Sequence, residues 1–260
     1  MKRTPIQPDL EQYPDIFHPL LEGSQVYDSS CSPDARVICL QREGGLFLKS
    51  APKGTLAHEA AMDRFFFSKG LGPEVLEYCS LEQDWLLTRQ IPGEDCLHEQ
   101  YLRDPQRLCD TTAQLLRMLH DTSPADCPIN QTRLRIAVAK ENAAAGRCDS
   151  SLFPDNWGYA SAAEARQVVE EQSRFLGADT LIHGDYCLPN IMLDNWKFSG
   201  FLDLGAAGLG DRHIDLFWGI WSLGFNLKTD TWKGRFLDAY GREKVEEDKL
   251  RIIAALEVFG

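Results

Sequence analysis

The chain has 260 residues, 43% hydrophobic and 25% charged, which excludes a disordered or collagen-like polymer and suffices for one large domain or two lobes. Its 27 basic and 39 acidic residues leave a net charge of −12, which argues against a general binder of nucleic acid or anionic membranes. The surplus of acid suits a cationic partner, and equally plain solubility.

The opening residues, Met1-Lys2-Arg3-Thr4-Pro5, turn polar at once and lack the apolar core of a signal peptide. Val37 to Leu40 and Leu46 to Lys49 predict two strands, joined through Arg42-Glu43-Gly44-Gly45 as a hairpin. Leu56, Met62 and Phe66 then mark a helical stripe over 54–69 that Gly70 closes. Val75 to Tyr78 and Trp85 to Thr88 predict two more strands, and Ile91-Pro92-Gly93 breaks the pattern. Pro105 opens a helix with Leu108, Thr112, Leu115, Leu116 and Leu119 on one face. Further helices are predicted over 160–175, 214–223 and 244–258, while Thr180 to Asp203 holds short β-prone runs around a loop. The apolar run Leu216 to Leu227 is too short to cross a bilayer. The eight cysteines are scattered without CxxC spacing, as expected of reduced thiols in a soluble cytoplasmic protein. The simplest organisation is α+β. Residues 1–92 form a small antiparallel-sheet lobe with one helix, 89–93 a hinge, and 93–260 a larger, mainly helical lobe.

The chemistry concentrates in His183-Gly184-Asp185-Tyr186-Cys187-Leu188-Pro189-Asn190 and in Phe201-Leu202-Asp203-Leu204-Gly205. Phosphoryl transfer needs an oriented hydroxyl and cations to hold phosphate charge. One carboxylate must face the acceptor oxygen, and hard oxygen ligands must hold Mg²⁺. Asp185, Asn190 and Asp203 supply those groups in the order of a kinase catalytic loop and its later Asp-x-Gly. Asp and Asn also serve ordinary turns, but a loop built only to turn needs neither this spacing nor the second segment. His183 suits backbone support better than reaction. Lys49 ends a predicted strand, where a kinase lysine grips nucleotide phosphates. Glu59 shares the apolar side of the following helix, and a carboxylate there needs a partner, for which Lys49 is the obvious choice. No Gly-rich phosphate loop precedes Lys49. The turn Ser29 to Asp34 stands in its position, and Ser30 and Ser32 either offer donors to phosphate or simply build a surface turn.

These residues resemble the aminoglycoside 3′-phosphotransferases, a family with the two-lobed protein-kinase-like fold. The resemblance runs from about Glu22 to Phe259. It includes Asp84-Trp85-Leu86-Leu87 leading to Ile91-Pro92-Gly93, Leu119-His120, and Gly210-Asp211-Arg212 followed by Asp215. It implies ATP and Mg²⁺ as cofactors, Asp185 as catalytic base, and Asn190 and Asp203 as magnesium ligands. It also implies that Lys49 contacts the nucleotide phosphates and that Glu59 orients it. Phe47 would lie against adenine, unless it is only a core residue of its strand, and Gln90 and Ile91 would meet the base through their backbone. Asp215 would be a structural carboxylate tied to the catalytic loop. The acceptor implied is a polycationic sugar, with no role for nucleic acid or membrane. Glu257 matches the family's acidic tail and Asp155 is the best remaining acidic candidate. Leu256, Ser222, Asn226 and Ala206 instead stand where the family tends to be charged, so a less cationic hydroxylated acceptor is the alternative. A nucleotide-binding pseudokinase and a metal-dependent hydrolase built on His183, Asp185 and Asp203 are the remaining readings.

Overall fold

Strand-forming residues dominate the first part of the chain. In the computed structural model, which describes residues 3–42, 44–149 and 159–260, they form β1 (Thr4–Ile6), β2 (Gln25–Asp28), β3 (Arg36–Gln41), β4 (Leu46–Pro52), β5 (Val75–Ser80) and β6 (Gln83–Arg89). These make one antiparallel sheet in the order β1-β2-β3-β4-β6-β5. Gly44 and Gly45, both at positive φ, turn β3 into β4, a geometry that costs glycine little. Strand alternation sends Leu46 and Leu48 to one face and Phe47 and Lys49 to the other. The first face packs with Ile38, Leu40, Val26 and Trp85 against Tyr13 and Phe17. A one-turn helix, α1 (His18–Leu21), precedes β2.

On the opposite face, Ala51 and Leu86 meet Leu56 and Ala60 of α2 (Ala57–Ser68). The α2 start is fixed by buried Asp84, which accepts the Leu56 N–H at 2.9 Å. Its end is closed by Gly70 at φ 71°, with the Leu71 N–H returning to the Phe66 carbonyl at 2.9 Å.

Sheet β10-β9-β7 joins β7 (Glu94–Asp95), β9 (Ile191–Asp194) and β10 (Lys197–Phe201). Chain contacts divide the molecule into Met1–Asp95 with Met192–Gly205, and Cys96–Ile191 with Ala206–Gly260. The boundary expected at residue 92 with one contiguous second half therefore differs, because β9, β10 and Asp203 group with the first unit. Long-range pairing accounts for it: β7 pairs with β9, and the Phe201 N–H donates to the Leu71 carbonyl at 2.8 Å. Gly93, at φ 94°, lies so close to the Leu193 carbonyl that a Cβ would approach it to 2.2 Å.

The second unit is mainly helical, with α3 (Glu99–Leu102), α4 (Pro105–Asp121), α5 (Gln131–Ala144), α6 (Ala162–Gln172), α7 (His213–Leu227), α8 (Trp232–Tyr240) and α9 (Glu247–Glu257). α4 starts at Pro105 with the Asp104 side chain capping the Arg107 N–H, and buries Leu108, Thr112, Leu116 and Leu119. β8 (Thr180–Ile182) and β11 (Gly208–Gly210) pair antiparallel, and β8 leads directly into His183. No disulfide is formed among the described residues; Cys39, Cys96, Cys109 and Cys187 are buried, and Cys31 and Cys148 are exposed. No helix among the described residues is long and apolar enough to cross a membrane.

Candidate active site

In the first unit, β4 carries Lys49 and α2 carries Glu59 in its first turn. The Lys49 Nζ donates to the Glu59 Oε1 and Oε2 at 2.9 and 2.8 Å, and to the Asp203 Oδ1 at 2.6 Å. Burial by itself would lower the Lys49 pKa. The two carboxylates outweigh it and hold the ammonium above its ordinary value, so it stays charged. Glu59 is buried, whereas the Asp203 side chain is 57% exposed. Asp203 also adopts φ 59°, a left-handed conformation that a non-glycine residue keeps only under constraint.

The same unit holds a cleft of about 260 Å³ lined by Phe47, Gln90, Ile91, Gly93, Met192 and Leu202, with Arg3 and Glu94 at its polar edge. The Arg3 guanidinium lies 5.6 Å from the centre of the Phe47 ring, so this ring already presents a face to a planar group. The backbone N–H of Gln90 is committed to the Gly45 carbonyl at 3.0 Å. In the β2–β3 turn, Ser30 Oγ accepts the Val37 N–H at 3.0 Å, and Ser32 Oγ accepts the Asp34 N–H at 3.1 Å. Both hydroxyls thus build the turn, and so do the N–H groups of Ser29, Ser30 and Asp34, which donate to the Val37 carbonyl, Asp28 Oδ1 and Ser32 Oγ.

The second unit fixes the segment His183 to Asn190 through buried side chains. Asp215, fully buried on α7, accepts the His183 N–H through Oδ2 and the Gly184 N–H through Oδ1, each at 2.7 Å. Its Oδ2 also accepts from His120 Nε2 at 3.0 Å, while His120 Nδ1 accepts from the Tyr240 hydroxyl at 2.8 Å. Burial lowers the His120 pKa, so this imidazole is neutral, with its proton on Nε2. His183 is buried, and its Nδ1 faces the Asp185 N–H at 3.3 Å, a supporting contact. Gly184 has φ 84°, and a Cβ there would come within 1.8 Å of the Ala206 carbonyl oxygen. Farther along, Leu188 N–H donates to the Ser222 hydroxyl at 2.9 Å, and the Tyr186 hydroxyl to the Thr112 carbonyl at 2.8 Å.

With the backbone so held, Asp185 remains partly exposed and its Oδ2 accepts the Asn190 Nδ2 at 2.9 Å. The same amide nitrogen reaches the Asp185 carbonyl at 3.0 Å, which leaves the Asn190 carbonyl oxygen as its donor atom to a cation. Asn190 and Asp203 thus both offer oxygen, the donor chemistry Mg²⁺ selects.

The acceptor candidates fare differently. Asp155 lies outside the described residues. Glu257, expected to face a cationic sugar, is 7% exposed and ion-paired with Arg135. Ser222 is buried and committed to the Leu188 N–H, Asn226 donates to the Ser222 carbonyl at 2.8 Å, and Leu256 is buried. Arg135 was not singled out in the sequence, because nothing in the local pattern of α5 links it to a loop about fifty residues away.

Against known proteins, the model of the phosphotransferase enzyme family (APH) matches residues 30–253. The chain belongs to this family. It is 45% identical to a probable aminoglycoside 3′-phosphotransferase of Lactococcus lactis, over 97% of both chains. It is 31% identical to the aminoglycoside 3′-phosphotransferase of Niallia circulans, over 68% of this chain and 67% of that one. The crystal structure of a type VIII aminoglycoside-3′-phosphotransferase superposes with a TM-score of 0.75 at 26% identity, over 96% of each chain. The family and the two-lobed α+β kinase-like fold expected from the motifs are those found.

Proposed function

We propose that this phosphotransferase moves the γ-phosphate of ATP to the 3′-hydroxyl of an aminoglycoside antibiotic and so confers resistance. The observation that carries the chemistry is Asp185: a partly exposed carboxylate, oriented by Asn190, on a loop whose backbone is fixed by a buried carboxylate. Asp185 would accept the hydrogen bond of the sugar hydroxyl, hold it in line for attack, and take its proton late in transfer. Lys49, oriented by Glu59, would grip the nucleotide phosphates. Phe47 with the Gln90-Ile91 segment would receive the base, and the turn of Ser30 and Ser32 would approach the phosphates by exchanging some of its internal hydrogen bonds for bonds to them. Asn190 and Asp203 would hold Mg²⁺, which when bound neutralises charge on the transferring phosphate. The acceptor rests on the near-full-length likeness to a probable aminoglycoside 3′-phosphotransferase.

Mg²⁺-dependent ADP release with kanamycin, beside an analogue lacking the 3′-hydroxyl, tests this reading. Turnover with kanamycin alone supports it. Asp185→Asn should abolish turnover while nucleotide affinity stays near that of the parent, and undiminished turnover would end the assignment of Asp185. A second reading, a less cationic hydroxylated acceptor, is favoured by one observation: Glu257 is already neutralised by Arg135. ADP release stimulated by neutral sugars or amino alcohols but not by kanamycin would select it.

A further inference from the structure

We infer that Arg135 is a positioning residue of the phosphotransfer site, clamping the peptide that leads into Asp185, and that Glu257 serves to hold Arg135 rather than to bind the acceptor. The inference rests on the assignment of Asp185 as the group that orients the attacking hydroxyl.

Arg135, on α5, donates one guanidinium nitrogen to Glu257 at the end of α9 and the other to the Gly184 carbonyl. A planar fork meets two fixed acceptors in this way, and a flexible ammonium matches that geometry poorly. The two peptide groups flanking Gly184 are held by different means. The one before it donates its N–H to Asp215 at 2.7 Å. The one after it, which enters Asp185, has its N–H only 3.3 Å from His183 Nδ1, so the Arg135 contact at its carbonyl is the stronger restraint. Glycine lets an adjacent peptide rotate at little cost, and Gly184 must be glycine because the Ala206 carbonyl leaves no room for a Cβ. Without Arg135, the peptide that aims the Asp185 side chain would lose its main fixed point.

Glu257 is nearly all buried, and an acceptor ammonium reaching it would have to evict Arg135, leaving a guanidinium unpaired in a part-buried site. The end of α9 does not depend on this pair for its docking. Asn142 of α5 donates to the Phe259 carbonyl at 2.7 Å, and the Asp149 N–H to the Val258 carbonyl at 2.8 Å. Variants of the pair should therefore fold.

The experiment compares the parent with Arg135→Met/Glu257→Met, which removes the pair without stranding a charge, and with Glu257→Gln. The measurements are Tm, kcat and KM with kanamycin, acceptor-independent ATP hydrolysis, and hydrogen exchange over residues 183–188. The double variant should keep a near-parental Tm, lose about tenfold to a hundredfold in kcat with KM little changed, and lose ATP hydrolysis in parallel. Its loop amides should exchange faster. Glu257→Gln should lower kcat without raising the acceptor KM. A folded double variant with parental kcat and parental exchange would reduce Arg135 to packing and overturn the inference. So would a tenfold rise in acceptor KM at unchanged kcat in Glu257→Gln. A parent that hydrolyses ATP but ignores kanamycin, with hydrolysis lost in the double variant, would refute the aminoglycoside reading and leave this inference supported.

Discussion

Two clusters of charge are held in opposite ways. In the first unit, Lys49 is fixed by side-chain ion pairs alone, and one partner, Asp203, is more than half exposed. In the second, Asp215 is wholly buried and reads main-chain N–H groups, with a neutral histidine completing its coordination. The pair with half-exposed Asp203 is weak and exchangeable, whereas a buried carboxylate that loses its main-chain donors is costly to the whole fold. The contrast matches the work each cluster would do. A lysine that must share itself with phosphate needs partners it can release in part, and a reacting carboxylate needs a backbone that does not yield.

The comparison breaks hardest at Asp215. An amide offers one oxygen where the carboxylate offers two, so Asp215→Asn would turn an NH₂ toward a donor and cost roughly 3–5 kcal/mol. Thermal unfolding and turnover should both collapse. Gly184→Ala comes next, at about 2–4 kcal/mol, since it meets both the positive φ and the Ala206 carbonyl. Denaturant titration would measure this, and a loss no larger than that of an exposed glycine would show that the loop can shift. Lys49→Met should cost less, about 1–3 kcal/mol, because it strands only Glu59, and Lys49→Met/Glu59→Gln should recover most of that stability without recovering activity. Parental activity in either variant would remove Lys49 from the site.

The smallest effect separates the units by sign. Asp63 of α2 is 3% exposed, and burial pushes its pKa well above 3.8. A raised carboxyl pKa gives stability that is present below 3.8 and lost as pH rises through the folded value. His120 is shifted the other way. Its depressed pKa means that stability is lost as pH falls below 6.5 toward the folded value. Asp63→Asn should thus raise Tm by an increment that widens as pH rises, while His120→Gln should flatten the acid side of the stability profile. Melting curves across pH would check both, and an Asp63→Asn increment independent of pH would show that the carboxyl is ionised throughout.

The parts of this molecule written in local spacing were legible in the sequence. The β3–β4 hairpin, α2 with its Glu59, the α4 face, and the Asp185, Asn190 and Asp203 pattern all follow from periodicity or from motif. α5 was not legible. Its buried side is made of Gln131, Thr132, Ala139 and Ala143, while Leu134 and Val138 are exposed, so its apolar pattern points away from the core. α8 is short and contains Gly234, which weakens any helical signal. The grouping of β9 and β10 with the first unit depends on pairing with β7, and the pairing of Glu257 with Arg135 joins residues 122 apart. Neither distance leaves a trace in a window of neighbours.

The cysteines have a practical consequence. Cys31 lies in the first unit and Cys148 in the second, both solvent-accessible, while four others are sealed in the core. Once the half-exposed Cys79 and Cys127 are replaced by serine, a maleimide dye on each remaining accessible thiol makes a native donor–acceptor pair. Energy transfer between them would then change as nucleotide and sugar are added, and because Cys31 lies between Ser30 and Ser32 its dye would also report on nucleotide reaching that turn.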